Sequence, residues 1–182
     1  MGVTNPLYTI ALARERDLPA LPAIELAAAR LLVGRAPESV LTETTSHEEL
    51  RDAQRLAHLW VALLDDQPVG FAHVKILETG HAHLAEIDVH PDHGRRGLGT
   101  ELVMAVCAWG ARQGYESVTL TTFRSVAFNM PFYESLGFEV IHDIIVSPAL
   151  RAIVNDETRR GLDPSNRVVM RRSCQNSANS AK

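Results

Sequence analysis

The sequence predicts an α+β protein with a predominantly antiparallel mixed sheet of six to seven strands, flanked by about four to five helices. Two observations predict this class. Strand-like apolar segments and helix-like amphipathic segments alternate along the 182-residue chain instead of forming separate blocks. Some strands are joined by short turns and others by helices, so the sheet must contain both antiparallel and parallel neighbours. The length fits one domain, which we assign to residues 1–172, followed by a disordered tail at 173–182.

The first half of the chain contains four predicted strands, and the last three of them are connected by short joins. Asp65–Pro68 connects the second strand to the third as a hairpin, and Glu78–Gly80 connects the third to the fourth. Such short joins require antiparallel neighbours, because a parallel return needs about a dozen residues or more. These strands are predicted at Tyr8–Ala13, Leu56–Leu64, Val69–Leu77 and His83–His90.

Five helices are predicted from apolar spacing and cap residues. Asp17, Ser46 and Ser147 are candidate N-caps, and Gly137 and Gly161 are suited to end the last two helices. The predicted helices are Asp17–Leu32, His47–Arg55, Leu98–Gln113, Ala127–Leu136 and Pro148–Arg160.

The second half of the chain predicts a change in strand direction. Ser117–Phe123 is reached only through the helix at Leu98–Gln113, so we expect it to lie parallel to His83–His90 through a right-handed crossover. Phe138–Val146 and Arg167–Arg172 are the last two predicted strands.

Composition narrows the functional class. The formal net charge of -4 argues against nucleic acid as the main partner, because phosphate binding normally leaves a strongly basic face. No apolar run approaches the roughly 20 residues of a membrane span, and the N-terminus does not resemble a signal peptide. Two cysteines do not make a disulfide framework. We therefore expect a cytoplasmic enzyme or small-molecule binding domain with no membrane or nucleic-acid partner.

The most informative segment is EIDVHPDHGRRGLGTELVMAVCAWG, which runs from a strand through a glycine-rich turn into a helix. Gly94, Gly97 and Gly99 let the backbone approach a ligand closely, and the first helical turn offers unpaired N–H groups at the positive end of the dipole. Arg95 and Arg96 add two positive charges. This arrangement favours a phosphate or pyrophosphate ligand.

Two other nucleotide-binding motifs do not fit this loop. A dinucleotide fingerprint has the spacing G-x-G-x-x-G, whereas the spacing here is reversed, and the strands before it do not open a βαβ unit. A triphosphate-binding loop needs Gly-Lys followed by Ser or Thr, and no lysine follows Gly99.

The segment HPDHGRRGLGTEL resembles the acyl-CoA-binding motif of the GNAT superfamily of N-acetyltransferases. Gly97 and Gly99 match its last two fixed positions, whereas Gly94 stands where the family commonly has Gln or Arg. The resemblance implies a GNAT fold splayed between the fourth and fifth strands, and acetyl-CoA as the acyl donor. It implies cofactor contacts from the strand residues Ile87 and Val89 and from the loop and helix residues Gly94, Arg95, Arg96, Gly97, Leu98, Gly99 and Thr100.

A second segment, TTFRSVAFNMPFYESLGFEV, resembles the family's later motif. In that motif an Asn contacts the cofactor and a Tyr four residues later lies near the thioester sulfur. Asn129 and Tyr133 occupy these positions. Two motifs in the family's order, over about Leu56 to Val140, identify the chain as similar to an acetyl-CoA-dependent N-acetyltransferase.

The resemblance implies direct attack of an amine on acetyl-CoA in a ternary complex. A backbone N–H near Val89 is then placed to stabilise the oxyanion, and Tyr133 is the expected acid for the departing thiolate. A protonated amine also needs a base. Glu86 is favoured as the base or as a water-positioning group, because its side chain alternates with apolar Ile87; Asp88 and His83 remain alternatives.

Several functional alternatives stay open at the level of sequence. The chain could be a non-catalytic acyl-CoA-binding module, or its acceptor could be a peptide or protein amine, N-terminal or lysine, instead of a small molecule. Eight histidines raise the possibility of a metal site, but no thiolate or second paired motif accompanies them, so we expect no metal. A monomer and a homodimer are both compatible with the sequence.

Overall fold

The computed structural model describes residues 8–78, 80–142 and 147–174. Its seven strands form a mixed sheet in the order β1-β2-β3-β4-β5-β7-β6, in agreement with the predicted class. The strands are β1 (Tyr8–Leu12), β2 (Leu59–Leu64), β3 (Gln67–Glu78), β4 (His81–Val89), β5 (Ser117–Phe123), β6 (Glu139–Val140) and β7 (Arg167–Ser173).

Six α-helices occur in the described part of the chain, one more than the upper limit of the prediction. They are α1 (Leu21–Ala29), α2 (Glu38–Thr42), α3 (His47–Arg55), α4 (Leu98–Arg112), α5 (Met130–Ser135) and α6 (Pro148–Arg159). The additional helix is α2, whose five residues form little more than one turn, too short for an apolar period to be visible.

The predicted strand directions are confirmed where the pairing is described. β2 and β3 are antiparallel, and β4 runs parallel to β5 with His81 opposite Ser117 and Leu84 opposite Leu120. β7 pairs antiparallel with both β5 and β6, which places the last strand of the chain inside the sheet and not at its edge.

The hairpin between β2 and β3 is tighter than predicted. Its turn contains only Asp65 and Asp66, and both have positive φ, 48° and 66°. A two-residue turn of this kind matches the right-handed twist of the strands, and aspartate tolerates the left-handed region better than most residues. Gln67 and Pro68 therefore belong to β3, and the pairing shifts register between Ala62 and Leu63, opposite that start.

The predicted helix at Asp17–Leu32 begins and ends differently from the prediction. Glu15–Ala20 forms a 3₁₀ turn, α1 begins only at Leu21, and Arg30–Leu32 forms another 3₁₀ turn. Asp17 is not the N-cap: it lies within the first turn, where its carboxylate accepts the backbone N–H of Arg14 at 2.7 Å. The two prolines of this segment fit this division, because each is tolerated only near a helix start.

The bounds of α5, β6 and β7 also differ from the prediction. α5 begins at Met130 and not Ala127, because Pro131 is tolerated only in a first turn. β6 is two residues long, and the rest of the strand predicted to Val146 lies partly outside the described residues. β7 extends to Ser173, and the Cys174 N–H donates to the Glu116 carbonyl, so the tail predicted at 173–182 does not begin at 173. Residues 175–182 lie outside the described part.

The contacts divide the chain into two compact units: Met1–Val74 with Glu86–Ala105, and Lys75–Ala85 with Val106–Lys182. In the first unit α1 and α3 pack their apolar residues with β2 and β3. Buried residues three apart, Leu21 and Ile24 on α1 and Leu50 and Ala53 on α3, mark the inner face of each helix. The core of this unit comprises Ala13, Leu18, Leu21, Ile24, Leu50, Ala53, Leu59, Val61, Leu63 and Phe71.

In the second unit a partly buried ion pair holds α6 to the sheet. Arg167 of β7 donates from Nη2 and Nε to the Glu157 carboxylate of α6, at 2.6 and 3.0 Å. The Thr121 hydroxyl of β5 donates to the same carboxylate at 2.5 Å. The guanidinium also lies over the Phe123 ring, with Cζ 4.7 Å from the centroid. α6 is thus bonded to two neighbouring strands.

Among the described residues, no helix combines the length and the apolar character that crossing a membrane would require.

We predict that Gly70→Ala destabilises the protein. A Cβ at Gly70 of β3 would lie 2.8 Å from the Asp88 carbonyl oxygen and 3.1 Å from Val89 Cγ2, so β4 would have to move. In an unconstrained strand the same change stabilises by about 0.5–1 kcal/mol, so the sign of the effect is diagnostic. Urea unfolding of both proteins measures it, and an increase in unfolding free energy would contradict this packing.

Candidate active site

β4 brings two carboxylates to one face of the sheet. Glu86 and Asp88 are two residues apart, so their side chains leave the strand on the same side, as predicted. Their oxygens, together with one from Glu25, all lie within 4.8 Å of one another. Ile87 and Val89, which alternate with the two carboxylate residues along the strand, are half-buried like them.

The third carboxylate comes from α1. Glu25 follows Ile24 and lies one turn after Leu21, so it shares the buried face of that helix and is itself only 9% exposed. Thr45, in the segment before α3, fixes its carboxyl group. The Thr45 backbone N–H lies 3.0 and 2.9 Å from the two Glu25 oxygens, and the Thr45 hydroxyl donates to Oε1 at 3.1 Å.

Glu25, Glu86 and Asp88 form a carboxylate cluster, and burial together with the neighbouring negative charges raises the pKa values of Glu25 and Asp88. Burial, followed by the negative charge of Glu86, raises the pKa of Glu25 to about 7, although the Thr45 bonds oppose the shift. Burial raises the pKa of Asp88 well above its usual range, and the charges of Glu86 and Glu25 add to this. Two like charges at about 5 Å repel by about 3 kcal/mol at an effective dielectric constant of 20, so the cluster favours holding a proton or binding a cation.

The glycine loop follows β4 directly. After a 3₁₀ turn at Pro91–His93, Arg95 and Gly97 adopt positive φ values of 58° and 84°, and α4 begins at Leu98. Leu98 is buried and anchors the helix, whereas the residues from Gly94 to Gly97 are exposed. The first bond of the helical pattern is from the Glu101 N–H to the Gly97 carbonyl, at 3.0 Å. The N–H groups from Leu98 to Thr100 precede this bond, so the helix start is suited to an anion.

The open side of this loop can accommodate a ligand. A Cβ built at Gly97 meets no atom within 4 Å, so packing within the free chain does not require a glycine there. Its positive φ does favour glycine. The backbone cradle, the two exposed arginines and the helix start are together suited to a pyrophosphate group.

An aromatic residue from β1 supports the loop. The Tyr8 hydroxyl lies 3.1 Å from His93 Nδ1, and the Arg96 guanidinium carbon lies 5.9 Å from the centre of the Tyr8 ring. The rings of His90 and His93 also meet edge to face at 6.0 Å. Tyr8 thus holds one of the loop's two arginines from the side of the sheet.

The histidines considered as a base or metal ligands have other partners. His83 is buried, and its Nδ1 lies 3.0 Å from the Thr119 hydroxyl, which itself donates to the Ala82 carbonyl. His81 Nδ1 lies 3.1 Å from the Ser117 hydroxyl. These contacts tie both side chains to the β4–β5 pair. The arrangement that could hold a cation, within the described ranges, is the carboxylate cluster.

Asn129 and Tyr133 belong to the second unit. Asn129 stands at the N-cap of α5, but its side chain makes no capping bond; its carbonyl accepts the Tyr133 N–H at 3.1 Å. The Tyr133 ring is 9% exposed and meets Phe132 and Phe138 edge to face, at 5.0 and 5.8 Å. Packing against these two phenylalanine rings thus helps to fix the position of the Tyr133 ring.

Sequence reasoning missed Glu25, Thr45 and Tyr8. Glu25 carried one usable signal, since it is the only charged residue in the otherwise apolar α1 sequence LPAIELAAA. A lone acid on the buried face of a helix needs a partner or a function. Thr45 and Tyr8 carried no such signal, because their roles depend on contacts 20 and 85 residues away along the chain.

The sheet order, the parallel β4–β5 pair and the glycine loop before α4 define the class of GNAT-fold acetyltransferases. The chain belongs to the Acetyltransferase (GNAT) family, whose pattern it matches over residues 25–138, more than half of its length.

Solved acetyltransferase structures share the fold of this chain. The PaiA N-acetyltransferase from Thermoplasma acidophilum, in complex with coenzyme A, is 18% identical, with a TM-score of 0.72 over 92% of this chain and 99% of that one. The ribosomal-protein-S18-alanine N-acetyltransferase from Escherichia coli is 19% identical, with a TM-score of 0.67 over 97% and 99%. Identities this low establish a common fold and not a common acceptor.

A larger enzyme contains a similar unit. N-acetylglutamate synthase from Neisseria gonorrhoeae, complexed with coenzyme A and N-acetyl-glutamate, is 17% identical with a TM-score of 0.72. The match covers 95% of this chain but only 36% of that protein.

We predict that Glu25→Gln flattens the pH dependence of stability. Between pH 4.5, the ordinary pKa, and about 7, the folded chain keeps a Glu25 proton that the unfolded chain releases, so stability falls as pH rises. Across this pH range the free energy of unfolding of the wild type should fall by up to about 3 kcal/mol more than that of the variant. Urea unfolding at a series of pH values measures both profiles. Glu86, Asp88, Glu49 and Thr45 face Glu25 and remain unchanged in the variant.

Glu134→Gln, at an exposed position of α5, is the matched control. It removes one carboxylate without affecting the cluster, so its profile should follow the wild type. Parallel profiles for the wild type and Glu25→Gln would show that Glu25 titrates alike in the folded and unfolded chains, against this interpretation.

Proposed function

We propose that this chain transfers the acetyl group of acetyl-CoA to a primary amine, by direct attack within a ternary complex. The observation that carries the proposal is the exposed glycine loop between β4 and α4, in a chain of the GNAT family. Two structures of similar fold are complexes with coenzyme A, and this supports the donor class. The acceptor remains a small-molecule or peptide amine.

The loop is the proposed site for the pyrophosphate of the donor. The amides from Arg95 to Thr100 would bind its oxygens, with Arg96 held beside them by Tyr8. Asn129 is the proposed contact further along the cofactor, and the strand residues Ile87 and Val89 are proposed to border it. Gly94 replaces the Gln or Arg common in the family, so the cradle depends more on backbone than on side chains.

Glu86 is the proposed base. A primary amine with a pKa of about 10.4 arrives protonated at neutral pH, so a carboxylate must accept its proton before the nitrogen can attack. Glu86 lies in the carboxylate cluster with Asp88 and Glu25, where the negative charges favour accepting a proton. His83 is less suited, since it is buried and bonded to Thr119.

Tyr133 is the proposed acid. The C–N bond forms as the amine attacks the thioester carbonyl, and the Val89 N–H is proposed to stabilise the resulting oxyanion. The C–S bond then breaks, and the thiolate takes the phenolic proton of Tyr133. The acylated nitrogen releases its surplus proton to solvent, so the products are the N-acetyl amine and coenzyme A thiol, and Tyr133 recovers its proton from solvent.

The proposed setting is cytoplasmic and free of metal, as the sequence predicts. Both cysteines are free thiols in the described chain. The choice between a monomer and a homodimer awaits a measurement of mass in solution.

Gly97→Ala should weaken acetyl-CoA binding. Its methyl group enters the open side of the loop, where we place the pyrophosphate, and we expect a dissociation constant raised about tenfold or more. Gly114→Ala is a close control, because Gly114 also has positive φ, 79°, and no neighbour within 4 Å of its Cβ position. Both variants should lose about 1 kcal/mol of stability to backbone strain. Calorimetric titration measures the acetyl-CoA dissociation constant of each variant. Equal dissociation constants for the two variants would show that the loop is not part of the donor site.

Tyr133→Phe should lower kcat by about a hundredfold while changing the acetyl-CoA KM by less than about twofold. The ring contacts with Phe132 and Phe138 persist in the variant, so the fold is kept. Tyr115→Phe makes the same chemical change at a ring packed on Trp109, and it should leave kcat unaltered.

Thiol release with a panel of amines measures both variants. Wild-type turnover retained by Tyr133→Phe would exclude Tyr133 as the acid. Tight acetyl-CoA binding by the wild type without thiol release for any amine would instead favour a non-catalytic binding module.

A further inference from the structure

The carboxylate cluster contains three acidic side chains, whereas proton transfer from the amine requires only one base. Glu25 comes from α1, Glu86 and Asp88 come from β4, and all three offer oxygens within 4.8 Å of one another. Neither Glu25 nor Asp88 has a lysine or arginine partner in the part of the chain that the structure describes. An arrangement of this kind is complementary to a cation.

A second observation points to a ligand that donates hydrogen bonds. The Oδ2 atom of Asp88 is fully shielded from solvent and accepts no hydrogen bond from any described residue. Buried acceptors are nearly always paired, and the neighbouring Glu86 can donate to Asp88 only if the Glu86 carboxyl itself holds a proton. An ammonium group offers up to three N–H donors and one positive charge, which match a set of carboxylate acceptors.

We propose that Glu25, Glu86 and Asp88 together receive the ammonium group of the acceptor, and that the acceptors are alkyl amines without a carboxylate near the reacting nitrogen. This inference rests on the proposed function, because it places the cluster beside the reacting amine. A diamine, polyamine or aminoalkyl chain fits, since any further charge it carries is positive. An amino acid reacting through its α-amine is disfavoured, because its carboxylate would approach three others.

Within this site Glu25 determines specificity and Glu86 takes the proton. The Thr45 bonds hold the Glu25 carboxyl in place, so it can accept a second N–H of the same ammonium. One N–H bond of the ammonium breaks and an O–H bond forms on Glu86, which leaves the neutral amine with its lone pair. Burial, which raises the pKa of Glu25 to about 7, makes the charge on this residue sensitive to binding of a cation.

Three acceptors of equal length test the charge preference. We would compare 1,3-diaminopropane, 3-aminopropan-1-ol and 3-aminopropanoate, which share the reacting amine and differ in charge at the other end. Thiol release gives kcat/KM for each, corrected for the fraction of free amine. The diamine should be the best acceptor, and 3-aminopropanoate should be at least about tenfold worse than the amino alcohol.

Glu25→Gln removes one negative charge and keeps the side-chain shape. It should reduce kcat/KM for the diamine about tenfold and narrow the preference for the amino alcohol over 3-aminopropanoate by a similar factor. Glu48→Gln, at an exposed position of α3, changes the net charge equally and should preserve the wild-type preference. Thr45→Val removes one bond to Glu25 and should give an intermediate effect, which keeps the test valid if Glu25→Gln folds poorly.

Calorimetric binding of the same amines, in the presence of coenzyme A, separates failure of this inference from failure of the proposed function. Thiol release with equal kcat/KM for all three acceptors would overturn the inference and leave the acetyltransferase intact. If no amine releases thiol, the proposed function fails, and diamine binding that is lost in Glu25→Gln would still support an ammonium site. The inference would be overturned if the diamine did not bind, or if Mg²⁺ or Ca²⁺ bound and displaced it.

Discussion

The close approach of β4 to β3 at Gly70 is the constraint on which the proposed chemistry of the first unit depends. A side chain at Gly70 would press on the Asp88 carbonyl at 2.8 Å, and the His90 N–H donates to the Val69 carbonyl at 2.8 Å. The carboxylates of β4 lie immediately before this contact and the glycine loop immediately after it. Strand spacing at one glycine therefore sets the position of both the acidic cluster and the start of the anion cradle.

The positive charges of the glycine loop and the negative charges of β4 lie close together along the chain but form separate groups. The net charge of -4 gives an anionic donor no general attraction, so its binding must depend on Arg95, Arg96 and the helix start. The carboxylate cluster lies on the strand that leads into this loop. Tyr8 holds Arg96 by its ring, and the Thr45 donors hold Glu25, so each charge is fixed by a neutral partner. Neutral partners orient these groups without cancelling the charge that a ligand would use.

Features encoded by local sequence were predictable, and features created by tertiary contact were not. Ser46 was recognised as the cap of α3, and the Ser117–Phe123 strand was placed correctly, because caps and apolar periods act over a few residues. The glycine loop was visible for the same reason. Glu25 became part of the cluster only because α1 packs its Leu21 face into the core, which carries the adjacent carboxylate toward β4. Sequence spacing alone does not specify which helix face meets which strand.

The same burial that costs stability suits the cluster to its proposed task. A carboxylate with an ordinary pKa near 4 is a poor match for an ammonium group with a pKa of about 10.4, because the proton would have to move strongly uphill. The negative charges that help to raise the pKa of Glu25 to about 7, and that of Asp88 well above its usual range, also surround Glu86, so they favour a proton arriving at the cluster. An arriving ammonium also relieves the repulsion between the carboxylates. The repulsion among the three carboxyl groups that the fold brings together thus favours both binding of the acceptor and acceptance of its proton.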